Sequence, residues 1–309
     1  MIRIEGVSHS FGALEVLHDL WFEVPAKEIF GFIGPNGAGK TTTLRMVATL
    51  LEPREGRILV DGLDVVRQPD EVRQILGFMP DSFGVYERLT VEEYLEFYAA
   101  AHGIGPGARA RTMNAVMELT DLGGLRERLV STMSKGMRQR LGIARTLLHD
   151  PRVLILDEPA NGLDPRARIE MRELIEELRG LGKTVVISSH ILTELSDMCT
   201  SVGILEKGSL LAVGTVDEIG RTLRPDHAVV IRLLERSENA LAVLAAVQGV
   251  TEVEARGERE LRATFQGGED VVADLVAAGA AAGLRIIRVE PEHNDLERIF
   301  LEVTQGALQ

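Results

Sequence analysis

The eight residues Gly34-Pro35-Asn36-Gly37-Ala38-Gly39-Lys40-Thr41 constrain this chain more than any other stretch. Their glycines let the backbone curl so that successive N–H groups face one point. The apolar run Ile29–Ile33 before them reads as a buried strand, and residues 41–51 after them read as a helix. A strand, a tight glycine turn and a helix N-terminus make an anion site. The helix adds partial positive charge, Lys40 a full charge, and the Thr41 hydroxyl a ligand for Mg²⁺. The spacing fits G-x-x-x-x-G-K-[ST], so residues 34–42, with Thr42 as the last, are expected to hold the phosphates of ATP. A glycine-rich turn alone could match by chance, but the flanking strand and helix argue for the phosphate loop.

Two acids complement that loop. The apolar run 153–156 reads as a second buried strand, and it ends in Asp157-Glu158. Acids at the carboxyl end of such a strand lie where α/β sheets bind ligands. Asp157 suits Mg²⁺, and Glu158 suits the polarisation of a water towards the γ-phosphate. Taken alone, the pair would serve equally well as a helix cap. A third apolar run, 184–187, precedes Ser188, Ser189 and His190. Apolar runs separated by amphipathic segments imply a parallel sheet flanked by helices.

Residues 82–149 read as a mainly helical insertion in that core. Thr90-Val91-Glu92-Glu93 has the form of a capping box opening a helix to about Ala101, with further helices over 110–122 and 135–148. Beyond Arg224-Pro225 the pattern changes to strand 229–234, helix 238–247, strands 250–254 and 260–265 around Arg256-Gly257-Glu258, helix 269–282 and strand 284–289. That β-α-β-β-α-β order is ferredoxin-like. A last helix is expected over 294–303.

Composition narrows the function classes. The 309 residues suffice for two domains, and 45% apolar with 26% charged residues is ordinary for a globular protein. The net charge of −13 argues against gripping nucleic acid, which needs a positive face, so no nucleic-acid partner is expected. Cys199 is the single cysteine, which excludes an intrachain disulfide and fits a reducing compartment. No signal peptide is read at the N-terminus, and no apolar run approaches the roughly 18 residues of a membrane span. A transport role would therefore need other polypeptides to supply the channel.

Met133-Ser134-Lys135-Gly136-Met137-Arg138-Gln139-Arg140 carries a family resemblance. It resembles the ABC ATPase signature, L-S-G-G-Q followed by Q-R, and lies just before the strand ending in Asp157. Residues 1–222 thus resemble an ABC ATPase domain, with the helical subdomain at about 82–149 and an accessory ferredoxin-like domain over 225–309. The resemblance implies a phosphate-loop ABC cassette: a mixed α/β sheet core with a helical subdomain. It also implies site roles. Ser134 and Gly136 would contact the γ-phosphate of ATP held by the opposite subunit. Phe11 would stack on adenine. Asp164, in Gly162-Leu163-Asp164, would lie in the D-loop at the dimer interface, and Asp164-Pro165 is also a good helix start. His190 would be the switch histidine on the γ-phosphate.

Two positions depart from the family pattern. Asp81 follows Pro80 where the family usually has the glutamine of its Q-loop. A carboxylate can accept a metal or water contact there but cannot donate as an amide can, so Asp81 is expected to take the glutamine's catalytic and metal-binding role. Lys135 replaces the first signature glycine; its cation either favours the anionic nucleotide or points into solvent. Lys40, Thr41, Asp157, Glu158 and His190 are all present, so the site is expected to be active.

One set of motifs, no sustained heptads and no cysteine-rich zinc pattern leave a stand-alone cassette. The stretch 84–95 and the ending 295–304 resemble bacterial drug-resistance-type ABC exporters, whose membrane subunits are separate chains. The implied partners are transmembrane permease subunits and a second ATPase chain, at the cytoplasmic face of the membrane. A soluble ABC ATPase acting on ribosomes or nucleic acid is the alternative.

Overall fold

The computed structural model describes residues 1–191, 195, 198–216, 218, 219 and 227–291. The expected closing helix over 294–303 and the domain junction at Arg224-Pro225 lie outside them. The described residues fall into two compact units, the first running to Val216 and the second containing the elements from His227 to Pro291.

The first unit is built on two sheets. Strands Ile29–Ile33 (β3), Leu76–Met79 (β6), Val153–Asp157 (β7), Thr184–Ser189 (β8), Ser201–Glu206 (β9) and Ser209–Gly214 (β10) form a six-stranded sheet in the order β10-β9-β3-β8-β7-β6. Neighbours are parallel except β10, which pairs antiparallel with β9 at one edge. The sheet is therefore mixed rather than purely parallel. Every residue of β3, β7 and β8 is buried, which accounts for their nearly continuous apolar sequences. A second sheet has the order β2-β1-β4-β5, antiparallel throughout, from Ile2–Phe11 (β1), Leu14–Val24 (β2), Glu55–Val60 (β4) and Leu63–Asp64 (β5). One apolar core joins both sheets: Ile2, Ile4, Ile58 and Val60 from the second pack in one cluster with Phe30, Phe32, Ile155 and Val186 from the first.

Helix Lys40–Val47 (α1) follows β3 directly and is shorter than the expected 41–51, because Thr49 turns the chain into the left-handed region at φ 62°. Helix Pro69–Ile75 (α2) leads into β6. Between β6 and β7 come Val91–Ala101 (α3), Pro106–Leu119 (α4) and Lys135–Leu147 (α5). The capping box forms: Glu93 N donates to Thr90 Oγ1 at 3.2 Å, and Thr90 N donates to Glu93 Oε2 at 2.8 Å. The second helix of this insertion starts four residues before the expected Ala110, because Pro106 occupies its first turn, where a missing N–H costs nothing. Helix Pro165–Gly180 (α6) links β7 to β8.

The second unit comprises His227–Leu233 (β11), Ala240–Ala245 (α7), Val250–Ala255 (β12), Glu260–Phe265 (β13), Glu269–Ala281 (α8) and Ile286–Pro291 (β14). Its order is β-α-β-β-α-β, and its sheet runs β12-β13-β11-β14 with every neighbouring pair antiparallel. Val229, Ile231 and Leu233 alternate into a core with Leu244, Ala263, Phe265 and Leu275.

Candidate nucleotide site

The phosphate loop joins β3 to α1. Gly39 caps the helix at φ 107°, and a Cβ there would stand 2.5 Å from Leu17 Cδ2, so only glycine fits. A Cβ on Gly34 would come 2.2 Å from the Leu205 carbonyl oxygen, so β9 backs the loop closely. Lys40 is 6% exposed, and its ammonium donates to the carbonyls of Gly34 at 2.7 Å and Pro35 at 3.3 Å. Glu158 Oε1 lies 3.7 Å from it. Burial pushes the Lys40 pKa down, and the charges of Glu158 and Asp157 oppose that. A bound phosphate would add further negative charge to this buried cation, beside that of Glu158.

Asp157, 1% exposed, ends β7 beside β8, in register with Ser188. Its Oδ2 accepts from Thr41 Oγ1 at 2.9 Å, and its Oδ1 accepts from Ser188 Oγ. Both carboxylate oxygens are thus oriented from either side. Asp157 and Thr41 present hard oxygen ligands, and Mg²⁺ is ordinarily bound through one or two carboxylates plus substrate phosphates. These two residues therefore fit Mg²⁺.

Glu158, 8% exposed, sits at φ 52°, a left-handed conformation that costs a non-glycine residue about 1–3 kcal/mol. Its N–H is held by Ser188, at 3.2 Å to the carbonyl and 2.9 Å to Oγ. The twist of backbone turns its side chain away from the strand direction and towards His190, whose Nδ1 meets Glu158 Oε2 at 2.8 Å. Strand β8 extends through Ser189, two residues further than the apolar run, and delivers His190 to the same end of the sheet.

An open cleft of about 650 Å³ collects these groups. Asn36, Gly37, Gly39, Lys40, Thr41 and Thr42 line one wall, and Glu158, His190 and Asp81 another. Phe11, at the end of β1, stands at the rim, 52% exposed, with Leu14 and Val16. An exposed aromatic ring beside a phosphate cradle has the place and chemistry of a base-stacking group. Pro35 is exposed and Ala38 buried; both shape the loop, and neither side chain lines the cleft. Two contributors escaped the sequence reading as site residues. In the sequence Ser188 stands out only as a neighbour of His190, and its register opposite Asp157 is a property of the folded sheet. Asn161, which also lines the cleft, donates from Nδ2 to Asp81 Oδ1 at 3.4 Å.

Ser134, Gly136 and Asp164 are not part of that cleft. They line a separate depression of about 280 Å³ where the N-termini of α5 and α6 meet. Ser134 Oγ accepts from Met137 N at 3.3 Å and Asp164 Oδ1 accepts from Ala167 N at 2.8 Å, so each side chain caps its own helix. Lys135 is exposed, in keeping with the solvent-facing alternative. Its ammonium lies over Gly162, where an added methyl would stand 2.5 Å from Nζ.

Residues 17–161 match the family model described as "ABC transporter". The chain is 34% identical to the daunorubicin resistance ATP-binding protein DrrA3 of Streptomyces coeruleorubidus, over 98% of this chain and 95% of that protein. It is 29% identical to the linearmycin resistance ATP-binding protein LnrL of Bacillus subtilis (strain 168) over 100% of both. It is 40% identical to the bacitracin transport ATP-binding protein BcrA of Bacillus licheniformis, over 68% of each. Among solved structures, an ATP-binding subunit of an ABC transporter superposes with a TM-score of 0.65 at 33% identity, covering 72% of this chain and 92% of that one. The ATP-binding cassette MJ0796, dimeric and bound to ADP and Pi, shares the fold at a TM-score of 0.63 and 23% identity, over 70% of this chain and 98% of that one. The chain belongs to the ATP-binding proteins of ABC transporters, a family of nucleotide-binding, ATP-hydrolysing transport ATPases, and within it resembles those of drug resistance.

Proposed function

We propose that this chain is the motor of a membrane exporter and works as a pair of chains closing around two ATP molecules. The observation that carries this reading is the split of the site. The phosphate cleft and the Ser134–Gly136–Asp164 depression have no lining residue in common, so one chain presents two half-sites. A partner chain in inverted orientation would complete both. The dimeric cassette with ADP and Pi that shares this fold supports that arrangement.

In each sandwich the loop N–H groups and Lys40 would grip the β- and γ-phosphates, and Phe11 would cover the base. Thr41 and Asp157, with Asp81 nearby, would hold Mg²⁺, which when bound draws electron density from the γ-phosphate. Glu158 takes the proton of the attacking water as charge develops on the phosphoryl oxygens. His190, bonded through Nδ1 to Glu158, orients that carboxylate and offers its other nitrogen to the γ-phosphate. Ser134, Gly136 and the start of α5 close on the same phosphate from the other chain.

Among the described residues no helix is long and apolar enough to cross a membrane. The channel is therefore assigned to separate permease subunits, with this chain at the cytoplasmic face. Tyr86 and Phe97, exposed and packed edge to face at 5.3 Å, mark the segment after Asp81 as their seat. The relatives named for linearmycin and daunorubicin resistance and bacitracin transport support export.

Replacing Glu158 with Gln removes the base and preserves the shape. With Mg-ATP the variant is expected to elute as a dimer and to co-purify with a multi-span membrane protein from native membranes. Ribosomes or nucleic acid as the only partners would overturn the motor reading while leaving the ATP site intact.

A further inference from the structure

Strands β6 and β7 are adjacent and parallel, with Met79 in register with Leu156, so the chain leaves both at the same end of the sheet. Asp81 leaves from the first and Glu158 from the second. A single turn closes after Glu158: Asn161 N donates to the Glu158 carbonyl at 3.1 Å. That turn fixes Asn161 relative to the strained Glu158 backbone and aims its amide back at Asp81, with Nδ2 at 3.4 Å from Oδ1. Both side chains face the cleft.

The chemistry of the pair is specific. Lys40, its cation lying 3.7 Å from Glu158, cannot also neutralise a further carboxylate without weakening that pair. An amide orients Asp81 through one N–H and leaves its negative charge and second oxygen free, which an arginine or lysine would not. The contact also ties the base to the segment that enters the helical insertion, since Phe83, two residues after Asp81, packs against Gly142 of α5, where a Cβ would stand 2.6 Å from its ring.

We propose that Asn161 is a positioning residue for hydrolysis: its amide holds Asp81 against the turn that carries Glu158, so that displacement of the segment after Asp81 is felt at the base. This rests on the motor reading above. The test is a double-mutant cycle on the full-length chain with Asn161→Ala, Asp81→Ala, both together, and the swap Asp81→Asn with Asn161→Asp.

Asn161→Ala is expected to lower kcat by about tenfold, the worth of one hydrogen bond, and to leave KM within about twofold; Asp81→Ala, which also removes a metal contact, should fall at least as far. The double variant should fall no further than Asp81→Ala alone, and the swap, which restores a donor–acceptor pair, should exceed the double variant. Affinity for a fluorescent ATP analogue in EDTA should not move in any of the four. Wild-type kcat in Asn161→Ala, multiplying losses in the double variant, or a swap no better than the double variant would each overturn the proposal. Glu158→Gln separates the two layers. If it abolishes hydrolysis while Asn161→Ala is silent, only the positioning role fails; if it hydrolyses normally, the assignment of the base fails and the positioning role with it.

Discussion

The two depressions proposed as half-sites are built by opposite means. At the phosphate cleft, Lys40, Asp157 and Glu158 are buried, and each is held by several side-chain or backbone contacts: Lys40 to the loop carbonyls and Glu158, Asp157 to Thr41 and Ser188, Glu158 to Ser188 and His190. In the second depression, Ser134 and Asp164 are exposed, and each side chain caps its own helix. A cap satisfies one of the four free N–H groups at a helix start and leaves the others facing outward. The first half is organised before any ligand arrives. The second is an exposed surface that, on the proposed reading, acquires a purpose when another chain brings an anion to it.

Loss of the buried cation gives the sharpest contrast. Lys40→Ala removes the charge that meets the phosphates and leaves Glu158 buried without its cation. Hydrolysis is expected to fall by roughly 10²–10³-fold, the scale of one lost transition-state stabiliser, and nucleotide affinity of the isolated chain should fall with it. Ser134→Arg should reduce hydrolysis comparably by filling the second depression, yet leave nucleotide affinity of the isolated chain within about twofold. Titration with a fluorescent ATP analogue beside an ATPase assay reads both. Equal loss of affinity in the two variants would mean that both halves serve one nucleotide within a single chain.

The same divide decides what was legible in the sequence. The phosphate loop and the capping box at Thr90 are local: a few consecutive residues carry the turn, the cap and the charge, and the structure places them as read. The buried strands β3, β7 and β8 announce themselves by unbroken apolar runs. Strands β1 and β2 do not, because Gly6 interrupts the alternation of β1 and the register between them shifts at three places. Ser188 and Asn161 were equally hidden. What they do depends on which strand lies beside which, and neighbours such as β6 and β7, far apart in the chain, are set by packing rather than by local pattern. Lys135 was ambiguous for the same reason: nothing near it in sequence points to Gly162.

A smaller effect sharpens the account of the second half. If Asp164 is mainly a helix cap until a partner chain arrives, Asp164→Ala should cost the isolated chain about 1 kcal/mol, as lost caps do. Urea unfolding measures this. Pro165 in the first turn keeps the helix start preset, which limits the loss. A cost near zero would place the carboxylate's role wholly at the interface.

The smallest expected effect lies where the helical insertion meets the sheet core. The ring of His149, between α5 and β7, stacks on His102, at the end of α3, with centroids 4.4 Å apart. His149 Nε2 donates to the Leu76 carbonyl at 3.1 Å, which leaves Nδ1 buried and without a partner. Acid must therefore put the second proton on an atom that has no acceptor. Burial pushes the His149 pKa down, and the Lys183 charge does the same, while the Leu76 hydrogen bond and Asp150 oppose it. Burial, His149 and Arg145 lower that of His102. Because the unfolded chain binds these protons first, folding stability is full above the ordinary value of 6.5 and is lost as pH falls below it, through the lowered folded values. The melting temperature should therefore drop between pH 7 and pH 5, and His149→Gln, which keeps a donor for Leu76 but cannot be protonated, should drop less. If the wild-type and Gln variants fall in parallel, this junction is indifferent to acid.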